Sequence, residues 1–249
     1  MGFRDKDNIE FLHQYMTLTR CDLLFADKAI LIEGTTERLL MPKMVQKVEA
    51  NLSGMPLSSQ YISYMEVGGA YAHIFFKLLD FLAIPTLIIT DIDAIDSDRK
   101  ACKVSKGERT SNSCITAWFS NPNVSPEALL AKSGADKIQQ NRRIAYQVPE
   151  DHRNPCGRSF EDAFILANGD MFGLGVASSV EAEDEAWRQA HEKRKSAFAL
   201  EMALSPSEWR VPRYIQEGLT WLADPNASLI DSVGHQDAAA VDLAGEPLS

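Results

Sequence analysis

An α/β fold, with a mainly parallel sheet and helices on both faces, is the expectation from this 249-residue chain. Three observations carry it. Short apolar runs at Lys28–Glu33, Tyr61–Val67 and Pro85–Thr90 read as strands buried on both faces. Segments with helical spacing lie between them. Each run stops at an acid or a glycine pair, as a strand entering a turn does. Strand, helix, strand, helix, strand is the order that builds a parallel sheet.

The elements follow in sequence. Ile9, Leu12 and Met16 sit at helical spacing, which predicts a short amphipathic helix over Asn8–Leu18. After Glu33-Gly34, Thr35 and Thr36 are candidate N-caps for a helix carrying Leu39, Leu40, Met44 and Val45 to about Ala50. Gly68-Gly69 breaks the second strand, and Ala70–Leu82 reads as a helix with Asp80 facing solvent. The third strand ends at Asp91-Ile-Asp93. A polar segment of about 96–136 follows, with short helices at Ser113–Phe119 and Pro126–Lys132, before a last strand at Arg143–Val148. From Phe160 onward the pattern is helical: Phe160–Ala167, Val180–Leu204 and roughly Pro212–Ala223. These readings divide the chain into an amino-terminal lead-in (1–27), a sheet domain with its insertion (28–150), a helical domain (156–225) and a disordered tail (226–249). The tail is small and polar and has no Lys or Arg.

The balance of 25 Lys+Arg against 35 Asp+Glu gives −10. That argues against nucleic-acid binding through overall positive charge, but a site that collects divalent metals is itself rich in carboxylates. Cys21, Cys102, Cys114 and Cys156 form no CxxC, so neither a disulfide framework nor a structural zinc site is expected. The apolar runs fall short of the roughly 20 residues that span a bilayer. Together with the absence of a secretory pattern at the start, this predicts a soluble, cytoplasmic chain with no membrane association.

Two acid sets close predicted parallel strands. Glu33 ends the first, with Glu37 four residues on, and Asp91 and Asp93 end the third. Ligands of open α/β sheets bind beyond the carboxyl ends of the strands, so both sets would share one rim. Clustered carboxylates repel and call for a compensating cation, and Mg²⁺ or Mn²⁺ takes such oxygen ligands. Each set alone is explained as well by turn chemistry or a solvated loop. Their pairing in one sheet is what argues for a site.

Ala29-Ile-Leu-Ile-Glu33-Gly34-Thr-Thr-Glu37, followed by Ile88-Ile-Thr-Asp91-Ile-Asp93, resembles the Toprim domain, a Rossmann-like fold. Tyr64-Met-Glu-Val-Gly-Gly69 and Ser159-Phe-Glu161-Asp162-Ala-Phe make the resemblance more specific, to the OLD (overcoming lysogenization defect) nucleases, over roughly Asp22–Leu204. That resemblance implies a DNA endonuclease or nickase using two divalent ions, Mg²⁺ or Mn²⁺, with Ca²⁺ as a non-productive substitute. Glu33, Glu37, Asp91, Asp93 and Glu161 would be its metal carboxylates, and Glu33 and Asp91 would take direct part in catalysis. Lys195 would be the lysine near the metals, with Lys193 and Arg194 as alternative matches. OLD proteins carry an ABC-type ATPase domain before Toprim. This chain has no GxxxxGK[ST], so it reads as the carboxy-terminal nuclease region of a longer protein, and a homodimer through the helical part or the ATPase is open to it.

Arg99, Lys100, Lys103, Lys106 and Arg109 follow the Asp-x-Asp directly. Lys100, Lys103, Lys106 and Arg109 are the candidate DNA-phosphate contacts, although a solvated loop explains them nearly as well. Arg142, Arg143, Arg153 and Arg158 are weaker candidates. His73 reads as packing, His152 near Cys156 as a loop residue, and Trp118 and Phe119 as core. Glu161 and Asp162 also suit the first turn of a helix, whose dipole favours acids there. Two other functions stay open: a non-catalytic Toprim module that binds DNA or a partner, and a haloacid-dehalogenase-type phosphatase with Asp91 as nucleophile. The phosphatase has no role for Glu33.

Overall fold

A computed structural model describes residues 21–52, 54–150, 155–175, 178–192, 195–205 and 208–224. The expected Asn8–Leu18 helix, the 226–249 tail, and His152, Arg153, Lys193 and Arg194 lie outside the described residues.

The apolar runs form strands β1 (Lys28–Ile32), β2 (Ile62–Glu66) and β3 (Thr86–Ile89). The last strand is β7 (Arg142–Ala145). Among the described residues these four and β6 (Ile138–Gln139) make a five-stranded sheet in the order β2-β1-β3-β7-β6. β1 pairs in parallel with β2 and β3, and β3 pairs in parallel with β7. The short β6 (Ile138–Gln139) is antiparallel at the edge and was not foreseen. At two residues it is too short to show periodicity.

Helices cover both faces. Ile30, Ile32, Leu87 and Ile89 face a core with α1 (Thr35–Glu49), α5 (Phe160–Ala167), α7 (Lys195–Leu204) and α8 (Arg213–Ala223). Ala29, Leu31 and Ile88 face the other core, with α2 (Phe76–Leu82) and α3 (Ser113–Trp118). The period-2 alternation inside continuous apolar runs is what lets one strand serve two cores. α8 lies close on the sheet at Gly218, where a Cβ would stand 2.7 Å from Leu87 Cδ1.

Several expectations change. Neither Thr35 nor Thr36 caps α1: its N-cap is Gly34, with no side-chain cap. The expected Ala70–Leu82 helix starts as a 3-10 turn, Gly69–Phe75, and becomes α-helical only at α2. The expected Val180–Leu204 helix is helical over α6 (Ser179–Glu192) and over α7, and residues 193–194 between them lie outside the described residues. Asp80 is not a free solvent-facing acid. It accepts from Arg142 Nε at 2.7 Å and Arg142 Nη2 at 3.1 Å.

The polar segment opens with a two-stranded ribbon, β4 (Ala94–Ile95) and β5 (Arg109–Thr110), then α3 and α4 (Pro126–Leu130). α6 holds the ribbon's connection: Glu183 accepts from the Ser105 amide at 3.0 Å, and Lys103 pairs with Asp184. Cys102, Cys114 and Cys156 are free thiols. No helix among the described residues is long and apolar enough to cross a membrane.

Candidate active site

Parallel pairing puts the carboxyl ends of β1, β3 and β7 on one rim, which is where this topology places ligands. A cleft of about 400 Å³ opens there, lined by Glu33, Gly34, Thr35, Thr36, Glu37, Glu161, Lys195 and Ser196. Asp91 stands behind this lining, 6% exposed.

Glu33 leaves β1 and is held through one oxygen. Its Oε1 accepts from Thr90 Oγ1 at 2.6 Å, the Asp91 amide at 2.8 Å and Asn112 Nδ2 at 3.2 Å. Burial raises its pKa, the charge of Asp93 adds to that, and the Thr90 and Asp91 donors oppose it. Glu37, in the first turn of α1, is pushed up to about 8 by burial and then by the charges of Glu161 and Glu33. Asp91 lies well above the usual carboxylate range for the same reason, burial first and then Glu33, Glu37, Asp93 and Glu161. The acids thus meet electrostatically, and each makes its neighbours harder to ionise.

Glu161, in the first turn of α5, is bound to Lys195 Nζ at 3.2 Å and accepts from Thr36 Oγ1 at 3.3 Å and Ser159 Oγ at 3.2 Å. Lys195 opens α7 with its side chain 68% exposed. Partial desolvation opposes its charge, but Glu161, Asp91 and Glu37 outweigh that and raise its pKa. Asp162 turns away from the cleft. It accepts from the Ser159 amide at 2.6 Å and the Arg158 amide at 2.8 Å, and with Ser159 it forms a capping box for α5.

Asp93 is brought to the rim but faces Arg158, whose Nη2 lies 2.9 Å from Oδ1. Its φ of +49° marks the sharp departure from the strand, in a region Asp tolerates better than most residues. Arg158 also donates to the Ala94 carbonyl at 3.2 Å, so it braces the Asp-x-Asp turn. Arg142 and Arg143 are buried under the sheet end, against Asp80 and Glu217, which removes them as phosphate contacts. In the basic run, Lys103 departs from the expected free contact because Asp184 engages it. Lys100 is exposed beside Asp98, and Lys106 is exposed.

Sequence reasoning missed Asn112, Gln147 and Tyr214. Gln147 Nε2 donates to Asp91 Oδ1 at 2.6 Å. The Tyr214 hydroxyl lies 3.5 Å from the same nitrogen. Asn112 precedes the expected Ser113–Phe119 helix and caps it in the structure, and a cap residue's local sequence says nothing of its other end.

As they stand, no three or more His, Cys, Asp or Glu side chains among the described residues are arranged to hold a metal ion. The donor chemistry nevertheless fits a hard divalent cation: anionic oxygens, buried, mutually repelling and only partly compensated by Lys195. Arg158 and Lys195 now occupy the anions of Asp93 and Glu161.

Residues 24–93 match the family model of the overcoming lysogenization defect protein-like TOPRIM domain. The chain is 28% identical over 252 residues to Endonuclease GajA of Bacillus cereus (strain HuB5-5), a match covering 88% of this chain. It spans 34% of that relative's length. No solved structure matches. The chain carries an OLD-like Toprim domain at residues 24–93 and is homologous to an endonuclease of the OLD family.

Proposed function

We propose that this chain is a metal-dependent DNA endonuclease or nickase that hydrolyses phosphodiester bonds with two divalent ions, Mg²⁺ or Mn²⁺. The observation that carries the reading is the convergence of Glu33, Glu37, Asp91 and Glu161 beside Lys195 at the carboxyl ends of a parallel sheet. Its relation to a protein named as an endonuclease supports it. Glu33, Glu37, Asp91, Asp93 and Glu161 would hold the ions. When bound, such ions supply Lewis-acid stabilisation of the phosphate and make water a better nucleophile. Glu33, with its raised pKa, suits holding a proton taken from the attacking water. Lys195 would offset charge growing on the departing oxygen. For Asp93 and Glu161 to ligate, their cations must be exchanged for metal.

Lys100, Lys106 and Arg109 would contact DNA phosphates beside the cleft, with Lys103 holding the insertion in place. Residues 28–150 would be the Toprim domain and 156–225 a helical extension packed on it. The relative's greater length is consistent with the expected amino-terminal ABC-type ATPase in the full protein. The test is nicking of supercoiled plasmid with Mg²⁺ or Mn²⁺. Wild type should nick, and Asp91→Ala should lose about a hundredfold or more. Equal nicking by both overturns the site, and DNA binding without cleavage favours a non-catalytic module.

A further inference from the structure

We infer that two buried carboxamides, Asn112 and Gln147, are positioning residues that hold Glu33 and Asp91 each by one oxygen, so that each acid's other oxygen is the one offered to a divalent cation. The inference rests on the metal-hydrolase reading above and adds the parts that give the acids their direction.

Asn112 is 2% exposed, and its two ends do different things. Oδ1 accepts from the amides of Cys114 at 2.9 Å and Ile115 at 3.2 Å, capping α3. Because that end is fixed by two donors, Nδ2 must face the rim. It donates to the Asp91 carbonyl at 2.9 Å and Thr90 Oγ1 at 2.8 Å, and lies 3.2 Å from Glu33 Oε1. Thr90 in turn donates its hydroxyl proton to the same Oε1. Three donors therefore converge on one oxygen of Glu33. Among the described residues, Oε2 has no hydrogen-bond partner.

Gln147 repeats the arrangement from the end of β7. It is fully buried, its Oε1 accepts from the Ile92 amide at 2.8 Å, and Nε2 is thereby aimed at Asp91 Oδ1. Among the described residues, Asp91 Oδ2 has no hydrogen-bond partner. In each case backbone amides orient the carboxamide, and the carboxamide orients the acid. A carboxylate so held loses less rotational freedom when it takes a ligand, and outer partners of this kind typically change metal affinity by about 10–100-fold. The arrangement also gives the polar insertion a role: it delivers Asn112 to Glu33 across 79 residues of chain.

The substitutions that test this keep the cap and remove the clamp. Asn112→Ser retains a capping oxygen, and Gln147→Met keeps the bulk of the side chain at the end of β7, but neither presents an N–H to its acid. Mn²⁺ binding by the full 249-residue chain is measured by calorimetry, together with unfolding in EDTA and with Glu33→Gln as the ligand control. The expected result is Mn²⁺ affinity about tenfold or more weaker in Asn112→Ser and Gln147→Met, with Glu33→Gln weaker still. Asn112→Ser should unfold within a few degrees of wild type. If wild type binds Mn²⁺, Glu33→Gln weakens it and both carboxamide variants bind as wild type does, positioning is overturned while the metal site stands. If wild type binds no Mn²⁺, the metal reading itself falls and this inference with it.

Discussion

Glu37 couples site chemistry to stability. It is buried in the first turn of α1, and its pKa is pushed up to about 8 from an ordinary value near 4.5. The folded-state value lies above the unfolded one, so the folded state binds the proton more tightly. That contribution is fully present below about pH 4.5 and is lost as pH rises through about 8. Glu33 and Asp91 are raised in the same direction and add to it. In EDTA the unfolding midpoint should therefore fall between those pH values. Glu37→Gln should flatten the fall and exceed wild type at pH 8, and Mn²⁺ should recover wild type but not the variant. An unchanged pH profile in Glu37→Gln would place the strain elsewhere.

At the scale of elements, the acids depend on strands and helices held in register by side chains that never touch the cleft. Arg142, on β7, forms a bidentate pair with Asp80 on α2, and its guanidinium lies 4.4 Å from the Phe76 ring centroid and 5.4 Å from that of Trp118. Asp80→Ala would leave that guanidinium buried without its anion, and breaking such a pair costs about 3 kcal/mol. Urea unfolding measures this directly, and a loss below about 1 kcal/mol would mean that water reaches Arg142 instead. The capping box of Ser159 and Asp162 works likewise, fixing the start of α5 so that Glu161, one residue earlier than Asp162, points into the cleft. Of the neighbouring acids Glu161 and Asp162, one thus serves the site and the other the helix.

For the whole molecule, the net charge of −10 is unevenly placed. Five acids converge at the rim, while Lys100, Lys106 and Arg109 lie on the polar segment of about 96–136 that follows the Asp-x-Asp turn. Phosphate contacts release counterions, so each one steepens the salt dependence of binding. Replacing Lys100, Lys106 or Arg109 by Ala should weaken binding to any DNA sequence and lower the slope of log K against log salt by about 1 per residue. Lys103→Ala should change that slope less, because Asp184 already engages it. Equal slopes in all four variants would move the DNA path away from the insertion.

The parallel strands and the acid-bearing rim were legible in the sequence because both are local. A strand of five residues leading into Glu33, or of four followed by Thr90 and Asp91, reports its own burial and its own end through its apolar residues. The short helices of the insertion, Ser113–Phe119 and Pro126–Lys132, were legible as segments, and the structure adds that Asn112 and Ser125 cap them. Tertiary structure alone decided which partners the acids have. Asn112 reaches Glu33 across 79 positions, Gln147 reaches Asp91 across 56, and Arg158 meets Asp93 only after the insertion has returned. An amide or guanidinium side chain has no periodicity, so nothing in its neighbourhood announces a distant carboxylate. Asp80 and Arg142 show the same limit, since each looks like surface until the fold places one against the other. Burial of charge forces such pairing, and only the folded chain determines which pairs can meet.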